Sequence, residues 1–510
     1  MQTKKAMNLL LRACLLAVGL ACLLQINVMA QQTGPKREFR GAWMQCVNGM
    51  YLGKSTGQIQ QMLTTQLDAL EKDGANAIIF QVRGECDALY PSQIEPWSRY
   101  LTGVQGKAPS PYWDPMQWMI EQCHKRGMEF HAWINPYRAR MKTPTTLAPN
   151  HILRRHPERA FEYGGLYVLN PGLKENREYI LSVVEDIVRR YDIDGMHIDD
   201  YFYPYPEAGL AIPDDREFQL YNNGFRNKDD WRRDNVNVFI KEMGERIHRL
   251  KPWVKFGVAP FGIYRNKKSS PIGSDTNGLQ NYDQLYADVM LWVNNGWVDY
   301  CVPQLYWQIG HKLADYETLI KWWNRHVANR TLFIGESIEN TVANADPARP
   351  GTHQQAAKMA LHRQLPHVHG TVLWYAKVAA DDLGGYGTQL RNVYWKYPAL
   401  QPSMPFLDAK APKKVKHLKS VLTSDGYVLF WTEPKGKQWG DKAHRYVVYR
   451  FGKSDKINLN DPSKIVKITN ETFYRLPLEV PGTKSTYVVT ALDRVGNESK
   501  GSKKKVEFGT

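Results

Sequence analysis

Asp199 and Asp200 stand side by side where the apolar run Gly195–Ile198 gives way to the aromatics Tyr201, Phe202 and Tyr203. Burying an unpaired carboxylate is expensive, so two in tandem at the end of such a run call for a chemical role. A pair of carboxylates can divide acid–base work, because each charge makes the other hold its proton more tightly. Glu336, in the stretch IGESIE, is a third carboxylate at the end of an apolar run. Other apolar runs close on polar and aromatic side chains. They are Trp43 and Gln45; Arg83, Glu85 and Asp87; His131, Trp133, Asn135, Tyr137 and Arg138; Gln304, Tyr306 and Trp307; and Trp374 with Tyr375. Rings of this kind stack on flat ligands, and the amides, imidazoles and guanidinium groups can bind hydroxyls.

The elements that must position these groups follow from periodicity. Eight short apolar, β-branched or aromatic runs read as strands: Phe39–Val47, Ala75–Arg83, Met128–Asn135, Gly195–Tyr201, Lys255–Phe261, Tyr300–Trp307, Leu332–Ser337 and Thr371–Tyr375. Between them, Gln58–Lys72, Pro115–Arg126, Lys174–Tyr191, Asn235–Leu250, Tyr282–Asn294, Tyr316–Val327 and Gln354–Gln364 repeat their apolar residues at the helical period. Alternating strands and helices predict a parallel sheet, and eight units predict an α/β fold closed as a (β/α)8 TIM barrel over residues 31–400. Chemistry in such barrels sits at the C-terminal strand ends. Along the fourth strand the two-residue period sends Met196 and Ile198 to the helices, and His197 and Asp199 into the barrel. Asp200 then starts the loop above, and His197 reads as a hydrogen-bonding neighbour of Asp199.

The two ends of the chain differ from the middle. Lys4, Lys5 and Arg12, the largely apolar stretch Leu9–Leu24 and the small residues before Gln31 predict a cleaved signal peptide over residues 1–30. The protein is therefore expected to be exported, to the periplasm or the cell surface, with no integral membrane segment after cleavage. The residues before Cys22 fit a lipid-attachment motif poorly. Cys46, Cys86, Cys123 and Cys301 are scattered and read as buried thiols, with a Cys46–Cys86 bridge as the one alternative. Neither a metal site nor a cofactor is expected. The GxGxxG and P-loop contexts that cradle phosphate are missing.

The net charge is +16, and residues 405–510 hold 21 basic against 11 acidic residues. In an exported chain this excess does not signal nucleic-acid binding. It reads as a solvated face or a contact with anionic cell-surface glycans. Pro402, Pro405 and Pro412 mark a linker at residues 401–411. Beyond it, residues 412–510 alternate as strands in GYVLFWTEP, HRYVVYRFG and TYVVTALDRVGNES, with Trp431 and Tyr487 as core anchors. This segment resembles a fibronectin type III domain, a small all-β sandwich in which the tyrosine at the place of Tyr487 makes a corner hydrogen bond.

A pair of carboxylates with aromatic and hydroxyl-binding neighbours suits the hydrolysis of glycosidic bonds. The stretches REFRGAWMQCV, GANAIIFQVRGECDALYPS, HAWINPYR, LNPG, DGMHIDDYFYP, GVAPFGIYRN and VPQLYWQ resemble the glycosyl-hydrolase-like 10 family, exported bacterial barrels similar to family 10 glycoside hydrolases. The resemblance covers the barrel and implies a glycosidase acting on an oligo- or polysaccharide. In the wider clan a strand-4 acid/base, usually in an Asn-Glu pair, works with a strand-7 glutamate nucleophile. Carried onto this chain, that implies a retaining mechanism with Asp200 or Asp199 as acid/base and Glu336 as nucleophile. Arg83, Tyr306 and Trp374 match by strand the arginine, tyrosine and tryptophan such sites use, and Trp43, His131, Trp133, Asn135, Tyr137, His197, Tyr201, Gln304 and Trp307, at or near the strand ends, read as further substrate contacts. Aspartate in place of glutamate is a departure from that pattern. DGMHID also resembles the strand 4 of α-amylase-like barrels, which would make Asp199 the nucleophile, but KFGVAPFGIY lacks the strand-5 glutamate that frame needs. Two alternatives stay open: a non-catalytic glycan-binding barrel, and a metal-dependent polysaccharide deacetylase.

Overall fold

The computed structural model describes residues 34–143, 145–424 and 426–509. The expected signal peptide and Cys22 lie outside the described residues. Eight parallel strands close a barrel in simple sequential order: β1 Phe39–Met44, β2 Ala77–Arg83, β3 Glu129–Ile134, β4 Gly195–Ile198, β5 Lys255–Val258, β6 Tyr300–Cys301, β7 Thr331–Ser337 and β8 Val368–Trp374. One main helix follows each strand: α1 Thr56–Lys72, α2 Pro115–Lys125, α3 Lys174–Arg190, α4 Lys228–Leu250, α5 Val289–Asn294, α6 Tyr316–His326, α7 Gln355–Gln364 and α8 Ala376–Ala380.

Local chemistry sets these bounds. Ser55 opens α1 with a reciprocal cap: its hydroxyl accepts from the Gln58 amide, and the Gln58 side chain accepts from the Ser55 amide. β5 and β6 are shorter than their apolar runs because Pro260 and Pro303 have no N–H for the ladder. Beyond them only single bridges, Phe261 to Gln304 and Gln304 to Gly335, carry the pairing upward.

Strand alternation divides the apolar residues into two sets. Ile78, Phe80, Val82, Phe130, Ala132, Ile134, Met196 and Ile198 pack outward on Leu63, Leu67, Leu70, Met116, Val184 and Ile187 of the helices. Phe39, Trp43, Ile79, Trp133, Tyr300, Val302, Phe333 and Val372 fill the barrel. All four described cysteines are buried free thiols, so the Cys46–Cys86 bridge is not formed.

A three-stranded sheet of Arg138–Arg140, Ala160–Tyr163 and Leu166–Leu169 rises from the loop after β3. The C-terminal module holds two antiparallel sheets. Lys416–Thr423 (β9), Gly426–Thr432 (β10) and Phe473–Arg475 (β13) form one; Arg445–Gly452 (β11), Ile465–Thr469 (β12), Lys484–Leu492 (β14) and Ser502–Glu507 (β15) form the other. Trp431, Tyr446, Val448, Tyr487 and Val489 fill the space between them. The Tyr487 hydroxyl is buried without a partner among the described residues, so the expected corner hydrogen bond is not made. The segment expected as a linker is packed: Gln401 bonds Asn76, and Met404 closes the lower end of the barrel against Phe39 and Tyr300. No helix among the described residues is long and apolar enough to cross a membrane.

Candidate functional site

The site is built on a polar column that rises along the barrel axis. At its foot Lys255 Nζ pairs with Glu129 Oε1 at 2.6 Å and also donates to the Arg494 carbonyl of the C-terminal module at 3.3 Å. Burial alone would raise Glu129, but Lys255 and His131 more than offset it and hold the carboxylate at about 2. Glu129 Oε2 meets His131 Nε2 at 3.0 Å, and His131 Nδ1 meets the Tyr300 hydroxyl at 2.8 Å. The same hydroxyl lies 3.0 Å from His197 Nδ1, and His197 Nε2 accepts from Trp43 Nε1 at 3.2 Å.

Every proton in this column has a determined place. An indole only donates, so His197 Nε2 is the bare nitrogen and Nδ1 carries the hydrogen. Tyr300 therefore accepts from His197 and donates to His131, which donates to Glu129. Burial pushes His197 well below its usual range, so it stays neutral.

Two glycines make room for the rings. A Cβ on Gly257 would sit 1.9 Å from Tyr300 Cζ, and one on Gly195 would sit 2.3 Å from His131 Nδ1. Both clashes rule out any larger residue with this packing.

Above Trp43 the column opens into a pocket of about 190 Å³ lined by Trp43, Trp133, Asp199, Asp200, Tyr201, Ala259, Gln304, Tyr306 and Trp374. Trp374 stands edge-on to Trp43 and Trp133, with ring centres 6.0 and 6.3 Å apart, and stacks on Tyr306 at 6.1 Å. The pocket is thus an aromatic cage with a carboxylate floor. The peptide between Trp374 and Tyr375 is cis.

Asp199 is held by nitrogen donors. Asn135 Nδ2 makes a close bond to its Oδ2, Trp133 Nε1 donates to the same oxygen at 3.3 Å, and the Tyr201 amide donates to Oδ1 at 3.4 Å. Asn135 is oriented in turn by Gln81 and Arg138, both of which donate to its Oδ1. Arg138 also lies over the Tyr201 ring, 5.2 Å from its centre. Asp200 accepts from the Tyr205 hydroxyl. Burial raises both carboxyls, Asp199 to about 7 with Asp200 as a further cause, and Asp200 to about 6 against the opposing pull of Tyr205 and Gln304. Both are therefore raised toward neutral pH, and the charge on Asp200 makes Asp199 the harder to ionise.

The expected site residues separate into those in the cage and those outside it. Trp43, Trp133, Asp199, Asp200, Tyr201, Gln304, Tyr306 and Trp374 line the pocket. Asn135 holds Asp199 from behind, and His131 and His197 belong to the column below. Arg83 is fully buried away from the pocket: it pairs with Glu95 at 2.7 Å and donates to the Asn135 and Pro136 carbonyls, which fixes the exit of β3. Tyr137 packs on Phe239 outside the barrel. Trp307 turns to Phe261 and His311.

Glu336 is the main correction. Phe333 packs inside the barrel, and a Cβ on Gly335 would meet Trp43 and Gln304. The alternation of β7 therefore turns Glu336 outward. There it is wholly buried and accepts from Thr341 and Tyr386 at 3.0 Å each, with Lys358 and His362 4.0 Å away. It does not line the pocket.

Gln81 and Tyr205 hold positions in the site that the sequence does not assign, and Arg138, expected only as a residue at the end of strand 3, joins them. Tyr205 had a signal: it closes the run YFYPY directly after the aspartates. Gln81 is a polar residue at an inward position of an otherwise apolar strand, after Ala77 and Ile79.

The family model described as glycosyl hydrolase-like 10 matches residues 38–347. The chain is 40% identical over 479 residues to the protein named glycosyl hydrolase YngK of Bacillus subtilis, covering 92% of this chain and 93% of that protein. It is 37% identical over 333 residues to glycosyl hydrolase DigH of Escherichia coli K12, covering 62% of this chain and 75% of that one. Among solved structures it is similar to the PgaB (BpsB) glycoside hydrolase domain from Bordetella bronchiseptica, with a TM-score of 0.44 and 13% identity over 70% of this chain and 99% of that chain. With the family pattern spanning the strands that build the column and the aspartate floor, the chain belongs to the glycosyl hydrolase-like 10 family.

Proposed function

We propose that this protein is an exported glycoside hydrolase that cleaves a glycan at the cage above Asp199 and Asp200. The observation that carries the reading is the floor: two consecutive buried carboxyls, both raised toward neutral pH by burial, under walls of Trp and Tyr. One protonated and one charged carboxyl is the state a glycosidase needs before bond cleavage.

The aspartates cannot flank a sugar from opposite faces, because they are neighbours at one strand end. Glu336 faces the helices, and the pocket lining contains no other carboxylate. An enzyme-borne nucleophile across the ring is therefore missing from the cage as described. The alternative source is the substrate itself, through a 2-acetamido group.

In this mechanism Asp200 gives its proton to the glycosidic oxygen as that oxygen leaves C1. The acetamido carbonyl oxygen attacks C1 and closes a five-membered ring. Asp199, fixed by Asn135, Trp133 and the Tyr201 amide, accepts from the acetamido N–H and steadies the positive charge. Water then opens the ring at C1 and passes its proton to Asp200, so the anomeric configuration is retained. We assign the donor role to Asp200 because both oxygens of Asp199 already accept N–H bonds, which leaves Asp199 placed to accept rather than to donate.

Matched glycans carrying 2-acetamido, 2-hydroxy or free 2-amino groups test this directly. Cleavage of the first alone, with a β- or α-anomer matching the substrate at early times, is expected. Equal cleavage of 2-hydroxy glycans overturns substrate assistance. Binding without cleavage of any glycan overturns the hydrolase reading in favour of a glycan-binding barrel. Export rests on the leader-like first thirty residues, and the basic excess of the C-terminal module supports its docking on anionic cell-surface glycans.

A further inference from the structure

We propose that His124, Asp194 and His444 form a site for a divalent transition metal of the zinc class, which clips the C-terminal module to the lower face of the barrel. The three residues come from three separate parts of the chain: the last turn of α2, the entry to β4 and the entry to β11. One ligand atom from each lies within 4.8 Å of the others. His124 Nε2 is 2.7 Å from Asp194 Oδ2, and His444 Nε2 is 3.4 Å from Asp194 Oδ1. The two imidazole rings stand nearly perpendicular, at 83°, with centres 5.8 Å apart.

Two further observations point to a ligand. The His444 Nε2 atom is buried and its contact with Asp194 Oδ1 at 3.4 Å is too poorly aligned for a good hydrogen bond, a costly state for a polar nitrogen. On the His124 side, a cavity of about 610 Å³ opens between α2 and the module, lined by His124, Asp192, Thr469 and Phe473. That cavity brings solvent to one of the three ligands, His124. Two imidazoles with one carboxylate suit zinc and its neighbours rather than magnesium or calcium, which prefer oxygen.

The surroundings are consistent with a held ligand set. Asp194 Oδ2 also accepts from the Phe130 amide at 2.9 Å, which fixes the carboxylate, and the His444 amide donates to the Leu492 carbonyl at 2.7 Å. Arg445 lies 3.7 Å from Asp194 Oδ2, but its guanidinium donates to the Gly127 and Met128 carbonyls at 3.2 and 2.9 Å. Arg494 is paired with Asp192 at 2.7 Å. A proton on His124 is the rival occupant, and metal must displace it. The site lies at the opposite end of the barrel from the aspartates, so this inference does not rest on the proposed reaction.

The test uses the whole chain without a polyhistidine tag, stripped with a chelator and titrated with Co²⁺. The expected result is one Co²⁺ per chain with the visible absorption of a tetrahedral site, displaced by Zn²⁺, and a melting temperature raised by Zn²⁺. His444→Ala and His124→Ala each lose both signals. His444→Gln, which keeps most of the packing, loses the metal while its circular dichroism and hydrolytic activity stay at the wild-type level. Absence of stoichiometric Co²⁺ or Zn²⁺ binding overturns the proposal, as does undiminished binding in the histidine variants.

Discussion

Trp43 Nε1 donates to His197 Nε2 across 3.2 Å, and this one bond joins the wall of the aromatic cage to the polar column beneath it. The ring that lines the pocket is thereby aimed by groups below the pocket. Trp43→Phe keeps an aromatic wall but leaves the buried imidazole nitrogen without a donor. The expected cost is about 1–3 kcal/mol of stability, read by denaturant unfolding. In steady-state kinetics KM should rise more than kcat falls, since the aspartates are untouched. A kcat lost with KM unchanged contradicts this role.

The aspartate pair sets the pH dependence. With values of about 6 and about 7, both carboxyls are protonated at low pH and the charged partner is lost. Above the higher value both are charged and the proton donor is lost. The profile of kcat/KM should therefore be a bell with its maximum between these values. Activity that keeps rising to pH 9 is incompatible with the pair as acid.

The same raised values carry a stability cost with a definite sign. A carboxyl whose folded-state value lies above its unfolded one binds protons more tightly when folded, so its contribution is favourable at low pH and declines as pH rises through the folded value. The window runs from the ordinary carboxylate range near pH 4 up to about 7. Asp199→Asn should consequently be more stable than wild type at pH 8, by about 1–3 kcal/mol, with the advantage shrinking toward pH 4. A melting curve that shows no such convergence removes the premise.

Replacing the carboxylates should separate catalysis from packing. Asp200→Asn and Asp199→Asn are expected to lower kcat by about 10²–10⁴-fold on a true substrate. Glu336→Gln should leave kcat of the folded protein close to wild type, while the buried Lys358 loses its facing charge. The result expected is a drop of about 1–3 kcal/mol in stability. Abolished turnover in Glu336→Gln at full stability would restore the glutamate to the reaction.

Tyr205→Phe offers a finer probe. The Tyr205 hydroxyl holds Asp200 down against burial. Its removal should let Asp200 hold its proton to higher pH, so the base-side limb of the pH profile, where the donor is lost, moves upward. A limb that stays in place shows that the hydroxyl does not act on Asp200.

Much of the fold was legible because each strand announces itself by an apolar run and each helix by its period. All eight runs became barrel strands, shortened where Pro260 and Pro303 cannot donate. The alternation that placed Asp199 inward applies equally to β7, where Phe333 and Gly335 take the inner positions and Glu336 is turned out. A match by strand number alone takes no account of that alternation. The roles of Arg83 and His131 were hidden for another reason: each is settled by a distant partner, Glu95 for one and Tyr300 for the other. The packing of Met404 under the barrel is likewise a tertiary contact, invisible among prolines that read as a linker.

Gly257 and Tyr300 occupy one volume, since a single added methyl would stand 1.9 Å from the ring. Their identities therefore form one inherited character rather than two. Across descendants of this chain a side chain at position 257 should be found only where the ring at position 300 has shrunk, and Gly195 with His131 should drift in the same locked step. Anyone redrawing the barrel's interior has pairs to choose, not positions.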